Sequence, residues 1–229
     1  MATMITMIAL ASAAAIFFMV VRVLKGGIYG MLAKTLASLF FIALGVAGAV
    51  SLYPNIDKGV IIVLLGLVLG LVGDIVLDLK VVYRESSDIY LNAGMISFAI
   101  GHIVYFIALL LLAGFDAAIF LSCLAITIPI SVGILFSSRL MKINFGKFLA
   151  HAITYTVILT FMSIYTIALS IYDTRYILMA VGMVLFLLSD LVLSPMYFAG
   201  KQDDKVLCVI NHTLYYAAQI CIATFLFFI

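Results

Sequence analysis

The chain has 229 residues, 67% of them hydrophobic and 10% charged, with a net charge of +2. A soluble domain is nearer half apolar and a quarter charged, so this composition excludes a water-soluble core and points to an integral membrane protein. The small net charge and the lack of a basic run give nucleic acid nothing to bind.

A membrane-spanning helix needs about 20 apolar residues. Taken in chain order, the apolar stretches predict eight spans, at 4–21, 31–52, 59–79, 91–113, 117–136, 148–171, 176–197 and 206–229. The first stretch, "MATMITMIALASAAAIFFMVV", lacks the basic start of a signal peptide and is read as a retained span. The breaks are short ("YPNIDKG", "GFD", "YDTR"), which forces neighbouring helices antiparallel. The predicted fold is therefore all-α: an eight-transmembrane-helix bundle forming a single transmembrane domain over 1–229. Trp is absent, so Tyr53, Tyr83, Tyr90, Tyr172, Tyr176 and Tyr197 are expected to form the interfacial aromatic belt. Cys123, Cys208 and Cys221 lie in apolar segments outside any CxxC pair and read as small buried hydrophobes.

Loop charge sets the expected direction. The loops after spans 1, 3, 5 and 7 hold nine Lys and Arg, and those after spans 2, 4 and 6 hold two. The positive-inside rule then puts the odd loops in the cytoplasm and both termini on the other side, in an inner membrane if the cell is bacterial. In that orientation Asp74, Asp78, Asp190 and His212 fall in the cytoplasmic half, with Lys34 near the same face and His102 near mid-membrane. The glycosylation-like "NHT" at 211–213 lies at the cytoplasmic edge and is discounted.

Two acid-bearing stretches stand out, "GDIVLDLK" (73–80) and "SDLVLSP" (189–195). Each is followed by a span carrying His-x-x-Tyr, "GHIVYF" (101–106) and "NHTLYY" (211–216). The spacing suggests two parallel four-helix repeats, 1–114 and 115–229. Carboxylates inside hydrocarbon are expensive and mark function or pairing. Asp74 and Asp78 share a helix face at i, i+4. Asp74, a turn deeper, is the better functional candidate, because Asp78 also reads as an interfacial acid. Asp190 matches Asp74 in depth. His102 with Tyr105, and His212 with Tyr215 and Gln219, line single helix faces, and each histidine also reads as an interhelical hydrogen-bond partner. Lys34 reads as a lysine snorkelling to headgroups, or as a ligand for a lipid phosphate. Tyr155 reads as packing unless the polar site reaches it. Gly66, Gly70 and Gly73 form a small-residue stripe for close helix contact.

Several chemistries could use such a set. A proton-coupled transporter would relay protons through buried Asp and His, and usually breaks its helices at midplane, where this chain offers only Pro129. A prenyltransferase would need a second full aspartate motif, but Ser194 stands where the acid should be. A zinc-dependent intramembrane hydrolase could use His102, His212 and Asp ligands, without any diagnostic metal-binding spacing. A metal-free acid–base lipid hydrolase needs only paired carboxylates and polar helpers.

The order "GD…LD", "GH…Y", "SD…L" and "Y…Q" (Tyr215 or Tyr216 with Gln219), over eight spans, resembles the YhhN-type lysoplasmalogenase family. Lys34 and Tyr155 also look like family positions, although the family's Lys-Pro is here Lys34-Thr35. The resemblance implies a membrane enzyme that cleaves the vinyl ether of a lysophospholipid. Its products would be a fatty aldehyde and glycerophosphoethanolamine or glycerophosphocholine. It also implies Asp74 and Asp190 as the essential acid pair; on the metal-free acid–base reading of the residues, no cofactor and no metal are expected. One acid must be protonated and the other ionised, as in glycosidases. The expected order has Asp74 as donor and Asp190 as stabiliser, although the residues equally allow the reverse. Lys34 would then lie by the headgroup. Asp78, His102, Tyr105, Tyr155, His212, Tyr215, Tyr216 and Gln219 would support the acids, the water or the glycerol hydroxyl.

Overall fold

The computed structural model describes residues 1–229. It is all-α, with eight helices long and apolar enough to cross a membrane. They are α1 (Ala2–Leu24), α2 (Gly27–Ser51), α3 (Lys58–Val82), α4 (Ser87–Ala113), α5 (Ala117–Leu140), α6 (Leu149–Tyr172), α7 (Ile177–Phe198) and α8 (Lys205–Phe225). Even α8, the shortest at 21 residues, reaches about 32 Å at 1.5 Å per residue, enough to cross a hydrocarbon core of about 30 Å. Several helices overrun their apolar stretches. For example, α1 continues three residues past 21 to Leu24, because helical hydrogen bonds satisfy the backbone whether or not a charged side chain such as Arg22 interrupts the apolar run. Pro195 also lies inside a helix, in the last turn of α7, so Pro129 is not the lone helical proline.

Large apolar side chains stay exposed on the helix surfaces, among them Ile16, Phe17 and Val20 of α1 and Leu121, Ile128 and Val132 of α5. A water-soluble protein would not leave such faces bare, whereas a bilayer solvates them.

The chain divides into two compact units, Met1–Gly114 with Gln219–Ile229, and Phe115–Ala218. In the first, α1 packs on α2, α2 on α3 and α3 on α4. The α3–α4 contact is set by glycine. A Cβ added at Gly59 would strike Leu112, one at Gly66 would enter the Tyr105 ring, and one at Gly73 would lie 2.8 Å from Phe98. These positions recur a heptad apart on both helices, in opposite directions, so small residues on α3 receive large ones from antiparallel α4. Gly66 and Gly73 thus do what the stripe predicted, Gly59 extends it, and together they set the register that places the acids. In the second unit α5 packs on α6 and α6 on α7. Phe186 of α7 meets Tyr215 of α8 edge-on at 5.4 Å.

Turn chemistry closes the connections. Asp116 accepts from the N–H groups of Ala118 and Ile119 at 2.8 and 2.9 Å, capping α5. Asp173 accepts from the Arg175 backbone N–H at 2.9 Å and from its Nε at 2.8 Å, and the guanidinium holds its carboxyl below the usual range. Asp116→Ala should lower stability by about 1 kcal/mol, the usual worth of such a cap. Thermal unfolding in detergent measures it, and an unchanged midpoint would show that the cap contributes nothing.

Candidate active site

In the first unit the polar groups gather where α1 ends, α2 begins and α3 ends. α1 stops at Leu24 because Gly26 takes a φ of 60°, a value glycine adopts without steric cost. The N–H groups of Lys25 and Gly26 both close on the Val21 carbonyl, at 2.8 and 3.1 Å. That turn leaves Arg22, one helical position later, facing the end of α3. Asp74 and Asp78 lie a turn apart there and are 1% and 5% exposed. Lys34 and Ser38, with the same i, i+4 spacing, present a matching face of α2. The Lys34 Nζ stands 3.0 Å from Asp74 Oδ1 and 3.7 Å from Asp78 Oδ1. The Ser38 hydroxyl donates to Asp74 Oδ2 at 2.6 Å, and Arg22 pairs with Asp78 through its guanidinium.

Two expectations change here. Lys34 does not snorkel to the headgroup region: it is 4% exposed and turned inward, because two carboxylates in low dielectric attract an ammonium more strongly than the interface does. Asp78 is not an interfacial acid facing water but a buried partner of Arg22 and Lys34. Arg22 and Ser38 were not foreseen. Arg22 counted only as loop charge. The i, i+4 match of Lys34 and Ser38 to Asp74 and Asp78 was the signal that could have found Ser38.

His102 and Tyr105 are both buried on α4, with ring centroids 6.1 Å apart. In the glycine register Asp74 is level with Ser97. The backbone of His102 therefore lies about 8 Å, and that of Tyr105 about 12 Å, further from the basic end at 1.5 Å per residue. Their face is aligned as predicted, but it sits one to two turns away from the Lys34–Asp74 pair. The Tyr105 hydroxyl is buried without a hydrogen-bond partner. Gln219, 1% exposed, belongs to the C-terminal segment of this same unit.

The second unit carries Asp190 on α7. The Tyr155 hydroxyl, from α6, donates to Asp190 Oδ2, and the Ser189 hydroxyl lies 3.4 Å from Oδ1. Tyr155 is therefore a direct partner of the acid rather than packing. Asn211 of α8, also unforeseen, donates to the Ser189 carbonyl at 2.8 Å and ties α8 to α7 beside the acid. His212, Tyr215 and Tyr216 follow on α8, all buried. Each unit thus repeats one local pattern, in which a hydroxyl on the preceding helix (Ser38 or Tyr155) donates to the aspartate. At the position matching Asp78, Ser194 instead donates to the Asp190 backbone carbonyl at 3.0 Å.

Comparison with known proteins agrees with the motif order. The family model described as the YhhN family matches residues 28–226. No curated protein and no solved structure matches the chain. The matched stretch takes in the whole of α3 and α7, with both aspartates, together with Lys34 and Tyr155. A match over so much of the chain, on eight membrane-length helices, shows that this protein belongs to the YhhN family.

Proposed function

We propose that this protein is a membrane hydrolase that cleaves the vinyl ether of a lysoplasmalogen by two-aspartate acid–base catalysis. Family membership supports a lysoplasmalogenase-like hydrolase at the coarse level. The observation that carries the finer reading is the buried Asp74 held by Lys34 and Ser38.

Vinyl ether hydrolysis begins with proton transfer to the alkene carbon distal to the ether oxygen. The other alkene carbon becomes an oxocarbenium centre. Water adds there and loses a proton, and the hemiacetal collapses to a fatty aldehyde and the glycerol hydroxyl. The acid must arrive protonated, and a carboxylate must stabilise the cation and assist the water. A carboxylate 3.0 Å from a buried ammonium is in its ionised form. We therefore assign Asp74 as the anion and Asp190, contacted by the hydroxyls of Tyr155 and Ser189, as the proton donor. This reverses the order expected from the sequence. The reason is Lys34, whose partner only the fold reveals. Tyr155 would orient the Asp190 carboxyl.

The test is aldehyde release from lysoplasmalogen by purified protein, with and without a chelator. Asp74→Asn and Asp190→Asn should each lose about 10²–10⁴-fold in rate, the usual worth of a general acid or base. Activity near the wild-type level in either variant overturns the two-acid reading. Loss of activity in chelator, restored by zinc, would move the assignment to a metallohydrolase. Proton-coupled solute uptake into liposomes without lipid cleavage would move it to a transporter.

A further inference from the structure

We infer that Arg22 is a positioning residue for Asp74, acting through Asp78 and Lys34. The inference rests on the catalytic reading above.

Lys34 faces two acids at once, Asp74 at 3.0 Å and Asp78 at 3.7 Å. One ammonium cannot neutralise both, and an unpaired carboxylate at this burial is costly; Lys80, on α3 itself, also acts on Asp78. Arg22 resolves the competition by taking Asp78, which leaves Lys34 to Asp74.

The guanidinium has a prepared seat. It lies over the Phe18 ring, 5.4 Å from the centroid, and Phe18 is itself fully buried. On the other side is Gly30 of α2, where an added Cβ would come within 3.2 Å of Arg22 Nε. An alanine at position 30 would need the guanidinium to give by a few tenths of an ångström, and a bulky side chain there would compete with it for the space beside Asp78. In the second unit Ser194 occupies the position matching Asp78, so the Asp78–Arg22 pair belongs to the first unit alone. Their pairing thus sets the charge on Asp74 without either residue touching it.

The consequence is a balance that can be broken and restored. In Arg22→Gln, Asp78 competes for Lys34 and Asp74 takes up a proton. We expect kcat for aldehyde release to fall at least tenfold with little change in KM. A second infrared carboxylic-acid band, beside the one Asp190 gives in the wild type, should appear, and only that second band should vanish when Asp74→Asn is added. Arg22→Gln combined with Asp78→Asn removes both charges, so Lys34 returns to Asp74. We expect the double variant to lose the Asp74 band and recover most of the rate, although it lacks the same Arg22 contacts as the single. Gly30→Leu should reproduce the single variant's band with Arg22 intact. A double variant no more active than Arg22→Gln, or an Arg22→Gln protein with no Asp74 acid band, overturns the inference. If the wild-type protein releases no aldehyde, the lysoplasmalogen reading fails, and the infrared series alone still decides whether Arg22 sets the charge of Asp74.

Discussion

Replacing Lys34 with methionine should abolish aldehyde release and cost about 3–5 kcal/mol of stability, the usual consequence of removing one partner from a buried ion pair. Lys34 is 4% exposed and its ammonium lies within 4 Å of two carboxylates, so its loss removes a cation that two buried acids share. Methionine keeps the length and apolar bulk of the lysine stem, which isolates the charge as the cause. Adding Asp74→Asn to Lys34→Met should recover much of the stability, because the uncompensated charge is gone, and none of the activity. Thermal unfolding in detergent and aldehyde release read the two effects separately. A Lys34→Met protein as stable and active as the wild type would show that Lys34 does not hold Asp74.

The second large effect lies in the packing that sets the depth of the acids. Gly66→Ala should destabilise by about 1–3 kcal/mol, the range for overpacking a filled core, because the new methyl group enters the space of the buried Tyr105 ring. The same substitution at Gly133 of α5, where nothing lies within 4 Å of an added Cβ, should stabilise by up to about 1 kcal/mol through helix propensity. Opposite signs from one chemical change, read by thermal unfolding, test the α3–α4 register directly. A Gly66→Ala protein that is also stabilised would mean that α3 and α4 do not meet at Tyr105. Since that register holds Asp74 level with Ser97, a destabilised Gly66→Ala protein should also lose activity.

Much of the fold was legible because it depends on one-dimensional quantities. Span length, loop charge and the absence of a soluble domain follow from where apolar runs start and stop, and hydrocarbon permits few alternatives to a helix. The glycine stripe was legible for a similar reason, since close helix approach requires small residues at regular spacing wherever the partner helix lies. Helix ends were less legible, because a helix does not stop where hydropathy does, as α1 shows in running on to Leu24.

The acids themselves were visible as residues in the wrong solvent, but their partners were not. Arg22 sits beyond the end of the first apolar stretch and looked like an ordinary positive-inside loop charge. Lys34 looked like a residue reaching outward, and Tyr155 like packing. Nothing in spacing along one helix says which residue of another helix will face it across the pair.

The sequence by itself thus determined a YhhN-family membrane protein of eight helices with three intramembrane aspartates, Asp74, Asp78 and Asp190, because bilayer solvation constrains each span independently. Only the tertiary structure supplied the partners on which the protonation roles proposed for Asp74 and Asp190 rest. Lys34 and Ser38 meet Asp74 from α2, and Tyr155 meets Asp190 from α6. A buried acid's charge is set by the groups that packing brings within a few ångströms, whatever their distance along the chain.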